Sequence, residues 1–328
     1  MVSAQKIFSI NTESDFNAAT LEVFKYQAQH CSVYHDYMQM LGINQGKIKS
    51  LNEIPFLPVE FFKTHAVLSD QKKPEVIFES SGTTGTSVSR HYIADTEIYT
   101  QSFMRCFEMF YGDVRDFCIL ALLPSYLERE NSSLVFMTNH LIRASRHSQS
   151  GFYLSEHEQL LHTLQKLNKE AKKNILLGVS YALLDFAEQF PAKLSNTIIM
   201  ETGGMKGRRQ EITRQELHDT LCSAFSLKTI HSEYGMTELL SQAYSQGNGI
   251  FHCPAWMKIL LRNPDDPFDV SENRQSGNIN IIDLANIYSC SFIATQDIGR
   301  ITGENSFEVL GRTDSSDLRG CNLLVSEM

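Results

Sequence analysis

Residues 80–90 read Ser80-Ser81-Gly82-Thr83-Thr84-Gly85-Thr86-Ser87-Val88-Ser89-Arg90, and the rest of the chain is best understood outward from them. The apolar run Val76-Ile77-Phe78 precedes them and His91-Tyr92-Ile93 follows, which predicts a loop between two short strands. Gly82 and Gly85 permit positive φ and close approach of backbone to a ligand. Successive N–H groups in such a loop form an anion-binding concavity, and the hydroxyls of Ser80, Ser81, Thr83, Thr84 and Thr86 add short donor arms. This is the chemistry of a phosphate loop, without the Gly-Lys-Ser/Thr ending of a Walker loop. A polar hairpin turn uses the same residue types, so the stretch by itself leaves both readings open.

The bulk properties narrow the class. A chain of 328 residues can bury a large core and divide into two or three subdomains. With 42% hydrophobic and 20% charged residues it is ordinary globular protein, not a disordered one. The net charge of -9 argues against a nucleic-acid partner, although Lys206, Arg208 and Arg209 make a local basic cluster. No apolar stretch has the length of a signal peptide at the N-terminus or of a membrane span, so a cytoplasmic protein is expected. The seven cysteines contain no Cys-x-x-Cys pair and fit neither a disulfide framework nor a zinc site.

Along the chain, Leu21, Phe24, Ala28, Cys31 and Met38 predict one helix over 15–41. Ile54-Pro55-Phe56-Leu57-Pro58-Val59-Glu60-Phe61-Phe62-Lys63 cannot be a regular helix through its prolines; it reads as an extended crossing anchored by aromatics, with no chemistry of its own. Helices are expected over 96–110, 156–173, near 181–190 and from the capping box Thr213-Arg214-Gln215-Glu216 to about Phe225. Strands are expected at 117–123, 175–179 and 197–200, an alternation that predicts a mostly parallel sheet flanked by helices. Beyond Gly249, short runs at 257–261, 278–282 and 307–310 predict a small antiparallel β subdomain. The expected division is 1–248, an α/β region, and 249–328, a β-rich one.

Three further stretches carry chemistry. Glu201-Thr202-Gly203-Gly204-Met205-Lys206-Gly207-Arg208-Arg209 follows a predicted strand, where open α/β sheets place ligands, and again combines close backbone approach with cations. In His231-Ser232-Glu233-Tyr234-Gly235-Met236-Thr237-Glu238, an aromatic beside glycine can stack on a purine, while Thr237 and Glu238 can reach phosphate and a hard cation. In Thr295-Gln296-Asp297-Ile298-Gly299-Arg300 and Leu310-Gly311-Arg312-Thr313-Asp314, Asp297 can accept from two ribose hydroxyls and Arg312 can hold the sugar or its phosphate. Each by itself is also a plain turn.

Together and in this order, the four stretches resemble the adenylate-forming superfamily of acyl- and aryl-CoA ligases and luciferases. Ser-Ser-Gly-Thr-Thr-Gly-Thr is similar to its phosphate loop, Glu-Tyr-Gly-Met-Thr-Glu to its adenine- and magnesium-binding motif, and Gln-Asp-Ile-Gly-Arg with Gly-Arg-Thr-Asp to its ribose and hinge motifs. Ile54 to Lys63, Gly-Gly-Met-Lys-Gly-Arg-Arg and Leu318-Arg319-Gly320-Cys321 resemble the LuxE-type acyl-protein synthetases, relatives of phenylacetate-CoA ligases. The resemblance implies the α/β fold of the N-terminal part of adenylate-forming enzymes, an ATP and Mg²⁺ requirement, and activation of a carboxylic acid, fatty or aryl with a fatty chain favoured, as acyl-AMP. It places nucleotide at Ser80, Ser81, Gly82, Thr83, Thr84, Gly85, Thr86, Gly203, Gly204, Met205, Glu233, Tyr234, Gly235, Met236, Thr237, Asp297 and Arg312, and metal at Glu238. Full-length ligases carry a further domain with an adenylation lysine; only fourteen residues follow Asp314 here, so Lys206 is the candidate cation in its place.

In LuxE-type proteins a cysteine near the C-terminus takes the acyl group and relays it to a partner reductase, and Cys321 is the matching position. Arg319 beside it favours thiolate, and Gly320 lets the segment bend. The acceptor downstream would be a protein, a reductase or an acyl carrier protein. Two alternatives remain in the sequence: a CoA ligase passing the acyl group directly to a pantetheine thiol, and a module that binds acyl or adenylate ligands without turnover. No Gly-x-Ser-x-Gly elbow supports a serine hydrolase. Phe136, Val179, Tyr181 and Leu183 are candidate walls of an acyl pocket, and His231 and Ser125 are candidate neighbours of it or ordinary structural residues.

Overall fold

A computed structural model describes residues 3–70, 72–80, 88–124, 131–205, 208–210, 212–271 and 274–313. In chain order the elements are α1 (Ala4–Ile7), α2 (Glu13–His30), α3 (Ser32–Met40), β1 (Leu57–Pro58), α4 (Phe61–Thr64), β2 (Val76–Glu79), β3 (Arg90–Ile93) and α5 (Thr96–Tyr111). Then come β4 (Cys118–Leu122), α6 (Ser133–Ser145), β5 (Gly151–Phe152), α7 (His157–Lys169), β6 (Asn174–Val179), α8 (Ser180–Gln189), β7 (Thr197–Thr202) and α9 (Arg214–Phe225). The remainder is β: β8 (His231–Tyr234), β9 (Ala243–Ser245), β10 (Ile250–His252), β11 (Met257–Arg262), β12 (Val270–Ser271), β13 (Ser276–Asp283), β14 (Phe292–Gly303) and β15 (Ser306–Arg312).

The expected alternation builds the parallel half. β4, β6, β7 and β8 are parallel neighbours, with β5 on the outer edge of β4. Both faces are covered, which is why these strands read as unbroken apolar runs. Side chains alternate between two cores: Ile119, Ile175, Leu177 and Met200 enter one, while Leu120, Leu176 and Ile199 enter the other with Leu160, Leu217 and Phe225 of the helices. Thr213 caps α9 as its sequence predicts, accepting from Glu216 N–H while the Glu216 carboxylate accepts from Thr213 N–H.

At β8 the sheet turns antiparallel without a break. β8 pairs with β9, β9 with β10, and the order continues β15, β14, β13, β11, β12 to make one thirteen-stranded sheet that includes β1. The strands on either side of residue 249 are thus hydrogen-bonded neighbours. β2 and β3 form a separate two-stranded antiparallel sheet, with Ser80 and Ser89 hydrogen-bonded just beyond it.

The helix expected over 15–41 is two helices. Cys31 between them is extended, with φ -97° and ψ 102°, and makes an antiparallel bridge to Ser69. Asp70 N–H donates to His30 O and Ser69 N–H to Tyr288 O, so long-range backbone pairing outweighs the local helical pattern. The proline-rich crossing is extended only in its first part, where Leu57 and Pro58 pair in parallel with β14. Phe61 to Lys63, expected to be extended as well, lie in the short helix α4, which starts once the prolines are passed. The phenols of Tyr34 and Tyr37 donate to Pro55 O and Phe56 O, holding it to α3. Among the described residues, no helix is long and apolar enough to cross a membrane.

Candidate active site

The four chemical stretches converge on one cavity of about 160 Å³ at the junction of the parallel and antiparallel halves. The hairpin carrying the glycine-rich loop delivers Ser80, which is buried. Ser80 N–H donates to Ser89 O at 3.0 Å, and Ser89 N–H donates back to Ser80 Oγ at 2.9 Å. These two bonds close the foot of the loop at the cavity wall. Ser81, Gly82, Thr83, Thr84, Gly85 and Thr86 themselves lie outside the described residues, as do Lys206, Ser125 and Cys321.

The turn after β8 is fixed by three buried side chains from elsewhere in the chain. His91 of β3 donates from Nδ1 to Thr237 O at 2.8 Å, and Asn286 donates to Glu238 O at 2.9 Å. Burial pushes His91 down to about 4, so it stays neutral at physiological pH. Asp283 accepts from Leu240 N–H, Ser241 N–H and the Ser241 hydroxyl. The glycine-rich hairpin and the Tyr234–Glu238 stretch are therefore physically tied. Gly235, Met236, Thr237 and Glu238 all face the cavity. Glu238 is 3% exposed and its Oε1 has no hydrogen-bond partner, an arrangement that a hard cation would complete. Among the described residues no cluster of three or more His, Cys, Asp or Glu could hold a metal. Glu238 alone suits Mg²⁺, which usually keeps few protein ligands and takes the rest from water and phosphate.

The opposite wall is a buried chain of polar contacts. Tyr234 OH donates to Asp297 Oδ2 at 2.8 Å, and Arg312 Nε lies 3.0 Å from Asp297 Oδ1. Burial lifts the Asp297 carboxyl above its ordinary range, opposed by the Arg312 charge and the Tyr234 hydroxyl. Each carboxylate oxygen keeps a further lone pair for a sugar hydroxyl. The Tyr234 ring is held by Phe251 and Phe307 at 5.8 Å and 5.4 Å between centroids. Asp297 sits within a long strand, paired with Arg312 across β14 and β15, rather than in the turn that its motif also allowed.

Of the middle stretch, Gly203 lines the cavity with φ +67°, a conformation that suits glycine. Met205 packs into the helix-side core, and Gly204 precedes it without lining the cavity. Arg209 pairs with Asp185 and Glu188. His231 is half-buried, bonded to Tyr111 OH and pushed down to about 4 by burial, and it does not line the cavity. Val179, Tyr181 and Leu183 belong to the helix-side core, and Phe136 to an aromatic cluster with Phe78, Tyr99 and Phe103. Instead, Tyr99, Ser133, Leu134 and Met137 line the cavity from α5 and α6.

Sequence reasoning passed over several lining residues. Glu60 and Lys63 come from the proline-rich crossing, whose docking on β14 brings them beside Gln296; the Gln296 amide donates to Glu60. Arg214, first residue of α9, reaches the cavity while its guanidinium lies 5.2 Å over Phe251. Gln242 follows the Asp283-held turn. A charged pair in an otherwise apolar crossing, Glu60 and Lys63, was the available signal.

The four stretches whose order resembles the adenylate-forming class of enzymes meet around one cavity, and the fold is that of the same class. The chain superposes on 2-hydroxyisobutyryl-CoA ligase in complex with 2-HIB-AMP and CoA with a TM-score of 0.69, at 13% identity, over 96% of this chain and 73% of the other. For MatB from Rhodopseudomonas palustris the values are 0.53, 15%, 75% and 49%. For the O-succinylbenzoate coenzyme A synthetase MenE of Bacillus subtilis, in complex with ATP and magnesium ion, they are 0.50, 17%, 74% and 52%. At these identities the likeness is one of fold. The sequence profile of the family "Acyl-protein synthetase, LuxE" matches residues 5–328, and the chain belongs to that family. It is an AMP-forming ligase of the kind that makes acyl adenylates. No curated protein shows significant sequence similarity.

Proposed function

We propose that this protein uses ATP to activate a carboxylic acid, a fatty acid by preference, passes the acyl group to Cys321, and delivers it to a partner protein in the cytoplasm. The observation that carries the reading is the convergence of Ser80, Gly203, Tyr234 to Glu238, Asp297 and Arg312 on one cavity. A carboxylate is a poor acyl donor because its leaving group would be oxide. Attack of its oxygen on the α-phosphorus of ATP forms a new P–O bond and expels pyrophosphate, leaving an acyl group whose leaving group is AMP.

The chain's own contribution is position and charge. The loop whose foot is Ser80 and Ser89 would hold the phosphates, and the backbone at Gly203 would approach the nucleotide. The Tyr234 ring would stack on adenine, with Asp297 and Arg312 on the ribose. Glu238 would hold Mg²⁺, which supplies charge neutralisation at the phosphates. Lys206 is assigned the remaining cationic role. Cys321 thiolate would then attack the acyl carbonyl, forming the thioester and releasing AMP, and a reductase or acyl carrier protein would take the acyl group from it.

The test is intact mass after incubation with ATP, Mg²⁺ and a mixture of fatty and aryl acids, beside Cys321→Ser. The expected result is an adduct of one acid minus water, removed by neutral hydroxylamine and missing in the variant. Pyrophosphate release without an adduct would instead mean direct transfer to a carrier thiol. With neither signal, the activating reading fails.

A further inference from the structure

Two buried carboxylates from adjacent strands, Glu201 of β7 and Glu233 of β8, line the cavity, and their surroundings differ. Glu201 and Thr202 are successive on β7, so they point to opposite faces of the sheet. Glu201 faces α8 and α9, where the Ser180 hydroxyl donates to it and His218 Nε2 lies 3.7 Å away. Burial raises the Glu201 carboxyl, but His218, Arg214 and Ser232 together hold it below its ordinary value, so it is an anion with partners. Thr202 faces the other way, and its hydroxyl donates to Glu233 Oε2.

Glu233 is 8% exposed, lines the cavity, and has no cation within salt-bridge distance among the described residues. Its Oε1 lies against the bare backbone of Gly235, where an added Cβ would come within 2.4 Å. Around it stand Glu201 on β7, Tyr99, Cys106 and Tyr111 on α5, and Tyr244 on β9. Burial raises the three phenols and the thiol, so they remain neutral and Glu201 is the charged neighbour. Burial first, and Glu201 in addition, push Glu233 up to about 7 against the pull of the Thr202 hydroxyl. A carboxyl so placed exchanges its proton near neutral pH. Forming acyl-AMP leaves no proton to remove from a carboxylate nucleophile. The second half-reaction does, because a thiol must lose one.

We propose that Glu233 is the general base of the thiol-transfer half-reaction, a catalytic role that rests on the acyl-activating reading above. The thiol S–H proton passes to the Glu233 carboxylate as sulfur attacks the acyl carbonyl. The C–S bond forms, the bond from the acyl carbon to the AMP oxygen breaks, and AMP leaves as an anion. Glu201, an anion held by its own partners, keeps the Glu233 proton affinity high without competing for the thiol.

The experiment separates the half-reactions in the purified full chain. ATP–pyrophosphate exchange is measured with decanoic and benzoic acids. Transfer is measured from preformed decanoyl-AMP and benzoyl-AMP to the protein and to N-acetylcysteamine, as hydroxylamine-labile acyl, between pH 5.5 and pH 9. Wild-type transfer should rise with pH and level off above about 7. Glu233→Gln should slow transfer by about 100-fold and flatten that profile, with exchange falling far less. Glu233→Asp should restore part of the transfer rate with its pH dependence. Thr202→Val, which removes the donor to Oε2, should move the midpoint upward and keeps the test open if Glu233→Gln does not fold. The assignment is overturned if Glu233→Gln transfers at the wild-type rate with the same profile, if exchange and transfer fall in equal proportion, or if Thr202→Val leaves the midpoint in place. Absence of both exchange and transfer in the wild type would overturn the activating reading itself.

Discussion

Two acids in the cavity make opposite predictions when their charge is removed. Glu238 has a buried oxygen without a partner, so Glu238→Gln costs the fold little and the cation site much. The rise in thermal midpoint on adding Mg²⁺ with ATP should vanish in the variant, and pyrophosphate exchange should fall by about 100-fold or more. Glu233 carries a pH term. Its folded pKa is raised from 4.5 to about 7, so the folded protein binds the extra proton and the stabilisation is lost as pH rises between those values. Glu233→Gln removes that loss. Urea unfolding at pH 5 and pH 8 should show the variant gaining on the wild type at the higher pH, by up to about 3 kcal/mol. The types and order of these residues were visible in the sequence. The vacancy on Glu238 and the unpaired setting of Glu233 were not, because both depend on which side chains from β3, β7 and α5 come to face them.

Among the elements, local signals were read well and long-range ones were not. The capping box at Thr213 and the apolar runs of β4 and β6 are fixed by neighbours in the chain, and the structure has them where the spacing predicts. The interruption at Cys31 comes from Ser69, far along the chain, so a helical stripe could not show it. The same holds for the turn after β8. Its geometry is set by Asp283, forty-two positions beyond Ser241. Asp283→Asn leaves one acceptor oxygen where the carboxylate offered two. Loss of a charge-assisted bond at this buried turn should cost about 2 kcal/mol, and hydrogen exchange should quicken at Leu240 and Ser241 before it does in β4 or β6. Pyrophosphate exchange should suffer more than stability, since Glu238 and Gln242 flank the turn.

For the molecule as a whole, the β-rich part foreseen beyond residue 249 is continuous with the parallel half through β8, β9 and β10. The single tryptophan, Trp256, reports on that continuity. It is 3% exposed, stacks edge-on against Phe8, and donates to the hydroxyls of Ser102 on α5 and Ser241 beyond β8. Its fluorescence should change in one transition that coincides with far-UV circular dichroism across a urea titration. Separate midpoints would mean that the two halves of the sheet open independently.

The packing of Glu233 against Gly235 also constrains how the sequence can change over time. A Cβ at 235 would come within 2.4 Å of the Glu233 carboxyl oxygen, so alanine there displaces that oxygen from its present position unless residue 233 shortens. The two positions are therefore expected to drift as a pair. A homologue that keeps the acid should keep the glycine, whatever acid it activates.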